Sequence, residues 1–344
     1  MTTLLAPDAA RLFDLPRSSW NDYDRALISA GGGVFSRQLK RIELSTEAAE
    51  AIGWDRRVGT PAEVISAILR APVDLLWFGG IGTYVRASTE SNLDAGDRGN
   101  DAVRITAREL RAKVVGEGAN VGFTQSARIE AAARAGVRLN TDAIDNSAGV
   151  NTSDVEVNIK IALRGPLAAG RLPREERDRV LASMTPDVAA LVLRNNYDQT
   201  LALSLEQAHG SALLPLQARM MSALEETGAL DRAVETLPGE AQIADLRARD
   251  RGLTRPELAV LLAYGKIDLF NRILAGTLPD DPYLEASLLG YFPPAMAERF
   301  RPEILGHRLR RDVVPQLGRA QHDAAHARRR ARGAFHDRLP GAVG

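Results

Sequence analysis

Residues 113–163 read KVVGEGANVGFTQSARIEAAARAGVRLNTDAIDNSAGVNTSDVEVNIKIAL. The apolar run KVV predicts a strand that ends in the turn Gly116–Asn120, after which Thr124 can cap the helix QSARIEAAARA and Gly136 can stop it. We interpret VRLNTDAIDN as the next strand and SAGVNT as a turn. Ser153 begins the capping-box pattern SDVE, which predicts that the helix DVEVNIKIAL starts there. A strand, a helix and a strand in alternation predict a parallel sheet with helices on its faces.

The same alternation begins upstream of this stretch. Thr60-Pro-Ala-Glu63 has the form of a capping box with a proline in the first turn, and it predicts the helix PAEVISAILR. Residues 73–80, VDLLWFGG, form a short apolar run that is typical of a buried parallel strand. Beyond Arg171 apolar residues recur at helical spacing, and Thr254-Arg-Pro-Glu257 predicts another capped helix. The predicted fold class is α/β, with a partial Rossmann-like parallel sheet followed by an all-α C-terminal domain.

We expect four segments along the chain. They are an irregular N-terminal segment (1–50), a partial Rossmann-like coenzyme-binding domain (51–165), a helical C-terminal domain (172–315) and a basic tail (316–344). The tail loses its apolar face and gains arginine, so we expect it to be disordered or loosely helical.

The composition excludes several kinds of function. The formal net charge is zero, which gives no electrostatic reason to expect nucleic acid or an anionic membrane as a partner. The chain has no cysteine, so thiolate nucleophiles and thiolate metal sites are excluded. No histidine precedes His209, and the histidines form no pattern that predicts a metal site. The N-terminus does not resemble a secretory leader and no apolar run is long enough to span a bilayer, so we expect a cytoplasmic protein.

Small residues follow each of the three predicted strands. They are Gly79-Gly80, the turn Gly116–Asn120, and the segment Asn146–Gly149. Ligands of parallel α/β sheets bind outside the carboxyl ends of the strands, and asparagine amides suit a carboxamide or ribose hydroxyls. Tight turns alone would also select glycine and asparagine, but three such turns at adjacent strand ends favour a ligand crevice. No G-x-G-x-x-G or P-loop motif follows a strand, so the sequence shows no phosphate cradle.

Three further polar residues have two interpretations each. Ser153 can cap a helix or can bind a substrate carboxylate, and the two roles are compatible because a helix N-terminus favours an anion. Asp142 and Asp145 can act as a general acid or base, although the pattern favours carboxylates in a solvated loop.

The stretch 113–163 is similar to the end of the coenzyme domain of glutamate dehydrogenases, and specifically of the very large NAD-specific bacterial class. RLFDLPRSSWNDYDRALISAGGGVFSR, DLLWFGGIGTYVRA and GLTRPELAVLLAYGKIDLFNRIL resemble the same class. Together the similar segments cover most of residues 11–311.

The resemblance implies oxidative deamination of L-glutamate to 2-oxoglutarate and ammonium, with NAD as the hydride acceptor. It implies that Ser153 holds the side-chain carboxylate of the substrate. The cofactor-binding residues that it implies are Gly79, Gly80, Gly118, Asn120 and Asn146.

The catalytic lysine and aspartate of the family, and its dinucleotide fingerprint, lie upstream of the similar region. No motif in residues 1–50 replaces them, so we expect this chain to supply no catalytic residue and to be a fragment. We expect it to form a homo-oligomer or to join a missing upstream part, because an incomplete sheet exposes an edge strand. Two alternatives are a dehydrogenase for leucine or phenylalanine, and a helical interaction module without catalysis.

Overall fold

A computed structural model describes residues 6–314 of the chain. These residues form two compact units. Unit 1 comprises residues 6–116 and 121–138, and unit 2 comprises residues 117–120 and 139–314. None of the helices in residues 6–314 is both long and apolar enough to cross a lipid bilayer. The predicted basic tail (316–344) lies outside the described residues.

Unit 1 mixes short strands with short helices. Its helices are α1 (Ala6–Phe13), α2 (Thr46–Ala51), α3 (Pro61–Leu69) and α4 (Gln125–Glu130), the last followed by a π-helical turn at Ala131–Ala135. Its strands are β1 (Ile42–Glu43), β2 (Val58–Gly59), β3 (Leu75–Phe78), β4 (Val85–Arg86), β5 (Ile105–Thr106) and β6 (Val114–Glu117), whose last residue belongs to unit 2.

The described strands pair into small sheets of two strands each. β1 and β2 are antiparallel, β4 and β5 are parallel, and β3 pairs with β6. Beyond β6, Arg138 forms a parallel bridge with Val114. An α/β fold with a helical C-terminal region is therefore confirmed, while the Rossmann-like arrangement stays a prediction.

The helix caps of unit 1 follow the sequence pattern. Glu63 accepts a hydrogen bond from the Thr60 backbone N–H at 2.8 Å, and Thr60 Oγ1 accepts one from the Glu63 N–H at 3.3 Å, which completes the predicted capping box. Thr124 Oγ1 caps α4 by accepting from the Ala127 N–H at 3.1 Å. Gly136 ends the following turn with a φ of 65°, a left-handed conformation that glycine adopts readily.

The third predicted strand is wrong. Only Arg138 pairs with β6, through the Val115 N–H to the Arg138 carbonyl and the Arg138 N–H to the Lys113 carbonyl. The remainder of VRLNTDAIDN forms the short helix α5 (Asp142–Asp145), with Thr141 at its N-cap position. Asn-Thr-Asp is a run of residues that favour helix starts, and the apolar run before it is too short to sustain a strand.

Unit 2 is helical beyond β6. Its helices are α5, α6 (Ser147–Ala168), α7 (Arg174–Ser183), α8 (Thr185–His209), α9 (Leu214–Glu226), α10 (Glu240–Ala248), α11 (Arg255–Ala275), α12 (Glu285–Gly290), α13 (Pro294–Arg299) and α14 (Arg301–Leu305). The predicted capping box of α11 is present, because the Thr254 N–H donates to Glu257 Oε2 at 2.6 Å.

The predicted capping box at Ser153 is wrong, because α6 begins at Ser147 and places Ser153 inside the helix. SAGVNT has the composition of a turn, but its hydroxyls bond back into the helix. Ser147 Oγ donates to the Ile144 carbonyl and Thr152 Oγ1 to the Ala148 carbonyl, both at 2.8 Å. Such bonds to the carbonyl three or four residues earlier give the hydroxyls of serine and threonine a partner inside a helix.

Unit 2 has two apolar clusters. One joins α6 to the α12–α14 region, with Val155, Leu288 and Ile304 fully buried. The other joins Ile144 of α5 to α8–α11 and includes Leu214, Met221 and Leu258. The second cluster matters for the site below, because it anchors α5 and α11 in one packed body.

A buried polar chain crosses the first cluster. Asn158 Nδ2 donates to the Tyr291 hydroxyl at 2.8 Å, and that hydroxyl donates to Asp154 Oδ2 at 3.0 Å. His307 Nε2 lies 3.0 Å from the Asn158 carbonyl oxygen, and His307 Nδ1 accepts from the Leu309 N–H at 3.1 Å. These bonds define a neutral imidazole with its proton on Nε2.

Candidate functional site

The end of β6 and the start of α6 meet within unit 2. Asn146 Nδ2 donates a hydrogen bond to Asn120 Oδ1 at 2.8 Å. Asn120 is exposed and Asn146 is partly buried. The structure therefore brings together two of the residues that the sequence singled out, and we call them the asparagine pair.

The side chain of Asn146 is available for this contact because α6 does not need it as a cap. Asn146 occupies the N-cap position, but its side chain makes no capping bond. α5 leads almost directly into α6, and the Asn146 N–H already bonds to the Asp142 carbonyl at 2.8 Å. The Gly149 N–H, which a capping side chain would otherwise serve, bonds to the Asn146 carbonyl at 3.2 Å, so the amide can point to Asn120 instead.

Asp145 fixes the backbone of the turn after β6. Its Oδ2 accepts from the Glu117 N–H at 2.9 Å, and its Oδ1 accepts from Asn140 Nδ2 at 2.6 Å. Bonds to an ionised carboxylate are stronger than neutral ones, so Asp145 holds the last residue of β6 firmly where the turn begins. The expectation of a solvated loop carboxylate is wrong for Asp145, because this residue lies in α5, is partly buried and is engaged by two donors.

Arg255, the first residue of α11, reaches the same group of residues. Its Nε donates to Asn140 Oδ1 at 2.5 Å, and its terminal nitrogens donate to the Thr200 carbonyl at 3.1 Å and to Ser204 Oγ at 3.0 Å. Burial lowers the pKa of Arg255, whereas the nearby Asp145 carboxylate raises it. The guanidinium stays charged at neutral pH all the same, because its ordinary pKa is far higher.

Other predicted residues are placed as follows. Asp142 lies in α5, and its Oδ1 accepts from the Ala143 N–H at 2.9 Å. Gly118 lies in the turn between β6 and Asn120 and is partly buried. Ser153 lies in the second turn of α6 and is exposed.

Gly79 and Gly80 belong to unit 1 and follow β3 directly. Both are exposed, and a methyl group added to Gly80 would meet no atom within 4 Å. A ligand surface could therefore form here without steric obstruction from the glycines. Within residues 6–314, no three acidic or histidine side chains come together as they would to hold a metal ion.

Two family models match the chain. The model described as "Bacterial NAD-glutamate dehydrogenase, catalytic domain" matches residues 6–206, and the model described as "Glutamate dehydrogenase, C-terminal" matches residues 250–316. The first match covers more than half of the chain and includes every residue of the predicted site.

The chain belongs to the bacterial NAD-glutamate dehydrogenase family.

Relatives of known name agree with this assignment. The chain is 48% identical over 324 residues to the NAD-specific glutamate dehydrogenase of Mycobacterium tuberculosis, and 49% identical over 315 residues to that of Pseudomonas aeruginosa. Each alignment covers 90% of this chain, but only 20% and 19% of the respective relative. The chain therefore spans about a fifth of the length of the relatives that it matches.

The amide groups of the asparagine pair decide what kind of ligand the pair could hold. Within the described part of the chain, the Asn120 amide nitrogen and the Asn146 amide oxygen make no hydrogen bond to protein. The pair thus offers one donor group and one acceptor. A carboxamide such as that of nicotinamide carries the complementary acceptor and donor.

Sequence reasoning missed the supporting residues Asn140 and Arg255, and it misjudged Asp145. One signal was available for Arg255. A cation in the first turn of a helix faces the positive end of the helix dipole, so its presence there suggests a specific partner. Asn140 carries no comparable local signal.

Proposed function

We propose that this chain forms the nicotinamide side of the active site of an NAD-dependent glutamate dehydrogenase, which converts L-glutamate to 2-oxoglutarate and ammonium. The observation that supports the proposal is the asparagine pair, held at the end of β6 with one amide donor and one amide acceptor available. The names of the relatives specify NAD and glutamate, and the family assignment carries both to this chain as expectations.

The proposed roles divide between orientation and substrate binding. Asn120 and Asn146 would bind the carboxamide and ribose of the cofactor, so that one face of the nicotinamide meets the substrate. Gly118 would leave room for the cofactor beside the backbone of the turn after β6. Bound NAD supplies the hydride acceptor, while the protein supplies position and electrostatics.

Ser153 would bind the side-chain carboxylate of glutamate. Its hydroxyl is exposed in the second turn of α6, and a hydroxyl can donate a hydrogen bond to a carboxylate oxygen. Such a donor favours an acidic substrate over leucine or phenylalanine. None of the residues matched here is proposed as a proton donor or acceptor in the reaction.

The first experiment is a titration of the 344-residue chain with NADH, followed by nucleotide fluorescence. Replacing Asn120 or Asn146 with Ala removes one neutral hydrogen bond to the ligand and breaks the pair. We expect the dissociation constant to rise about 3- to 10-fold in each variant. Asn195→Ala is the matched control. Asn195 also bonds to another asparagine of unit 2, because its Nδ2 donates to Asn151 Oδ1 at 3.0 Å, but it is not one of the residues proposed to bind the cofactor.

The second experiment tests the substrate. Glutamate-dependent NADH formation is measured for the chain alone and after addition of the N-terminal region of the Pseudomonas aeruginosa relative. After the addition we expect activity with L-glutamate and not with L-leucine, and a raised KM for glutamate in Ser153→Ala. No NADH binding by the chain in either setting, or equal activity with L-leucine, would refute the proposed function.

A further inference from the structure

The first turn of α11 carries a cation in an unfavourable place. Arg255 occupies the first helical position, where the dipole disfavours positive charge, and it is partly removed from solvent. Both the helix dipole and the partial burial disfavour an arginine that lacks specific partners. Arg272 of the same helix shows the ordinary situation, since it is exposed near the C-terminal end and pairs with Asp268 at 2.9 Å.

The partners of Arg255 lie on separate elements of unit 2. Two nitrogens bond to the backbone of α8 at Thr200 and to the Ser204 hydroxyl of that helix, while Nε bonds to the Asn140 side chain. A guanidinium is a rigid fork, so bonds on one side restrict the direction of those on the other. The Asn140 amide is therefore fixed relative to α8 and α11.

The fixed orientation of the Asn140 amide in turn restricts the position of Asp145. Because its oxygen accepts from Arg255, its Nδ2 is directed at Asp145 Oδ1. The other oxygen of Asp145 holds the Glu117 N–H, three residues before Asn120. Asn146 directly follows Asp145 in the chain. Both members of the asparagine pair are thus connected to Arg255 through Asn140 and Asp145.

We propose that Arg255 is a positioning residue that sets the geometry of the asparagine pair, so that the C-terminal region of the family contributes to the nicotinamide site. The functional consequence rests on the function proposed above. In this proposal Arg255 acts through its protein partners and not by contact with the cofactor or the substrate. Its effect passes through Asn140 and Asp145, and it is distinct from the apolar packing that joins α5 to α11.

The test uses the full 344-residue chain with Arg255→Ala, Arg255→Lys and the control Arg272→Ala. The first readout is the pair of side-chain amide resonances of Asn120 and Asn146, assigned with Asn→Asp variants at each position. This readout does not need a ligand. We expect both resonances to shift or broaden in Arg255→Ala, to shift less in Arg255→Lys, and to stay unchanged in Arg272→Ala.

The second readout is NADH affinity at a temperature where circular dichroism shows each variant folded. We expect the dissociation constant to rise about tenfold in Arg255→Ala, and millimolar guanidinium to restore part of the affinity by filling the vacated site. Asn140→Ala should have a similar effect, and the double variant should be no worse than either single one, since the two residues act in one chain of contacts.

These outcomes separate the two proposals. Unchanged amide resonances in a folded Arg255→Ala protein would overturn the positioning role, whatever the affinity. Additive effects of Arg255→Ala and Asn140→Ala would overturn it as well. If the wild-type chain binds no NADH while the resonances respond as expected, the positioning role stands and the proposed function fails. Should Arg255→Ala not fold, Arg255→Lys and Asn140→Ala give the same comparison.

Discussion

Asp145→Asn removes one acceptor from the site while preserving its shape. The donors to the Asp145 carboxylate include the Glu117 N–H and the Asn140 amide. An asparagine offers a single oxygen, so its own amide group must face one of these donors. A hydrogen bond to a charged group contributes about 1.5–3 kcal/mol. We therefore expect the free energy of unfolding of unit 2 to fall by about 2 kcal/mol.

The assay is amide hydrogen exchange at Glu117 together with urea denaturation of Asp145→Asn. A loss of about 2 kcal/mol in local stability corresponds to exchange that is roughly 30-fold faster. Asp245→Asn is the control, because the Asp245 carboxylate forms an exposed ion pair with Arg249 and such pairs contribute about 1 kcal/mol or less. If Asp145→Asn keeps both the Glu117 protection and the urea midpoint, the carboxylate does not hold the turn and the reasoning is refuted.

Two further predictions concern the buried polar chain of unit 2. Tyr291→Phe removes the hydroxyl that links Asn158 to Asp154, and we expect the free energy of unfolding, measured with urea, to fall by about 1–3 kcal/mol. Tyr283→Phe, at an exposed tyrosine, should leave the urea midpoint unchanged. Burial lowers the pKa of His307, although its bond to the Asn158 carbonyl raises it, so the folded protein favours the neutral imidazole. The contribution of His307 is therefore complete above its ordinary pKa of 6.5 and is lost as the pH falls below that value. His307→Gln should reduce the fall in melting temperature between about pH 7.5 and about pH 5.5. His209→Gln serves as the control for loss of an imidazole. An unaltered pH profile of the melting temperature in His307→Gln would contradict the role given to His307.

Local signals in the sequence predicted the helix starts well. Thr60, Thr124 and Thr254 each cap the helix that the pattern indicated, because a cap depends on residues within one turn. The same kind of pattern misled at Ser153. The sequence SDVE matches the capping-box pattern. However, α6 follows α5 directly and begins at Ser147, so Ser153 lies inside the helix and the backbone needs no cap at that position.

The supporting network of the site could not be predicted in the same way. The turn at Gly118 and Asn120 and the segment at Asn146 stood out because glycine and asparagine after an apolar run are recognisable. Glu117 and Asp145 are 28 residues apart, and Asn140 and Arg255 are 115 apart. Contacts across such separations are decided by the packing of whole helices, which no short pattern records.

The long separation between Asn140 and Arg255 has a consequence during protein synthesis. A ribosome adds about 5–20 residues per second, so Arg255 is made roughly 6–23 s after Asn140. Throughout that interval the nascent chain has Asn120, Asp145 and Asn146 but lacks the arginine that orients them. The asparagine pair therefore reaches its final geometry only after translation has passed α11. A ribosome that stops before residue 255 leaves a chain that has all the residues proposed to bind the nucleotide but in which the asparagine pair is not yet oriented.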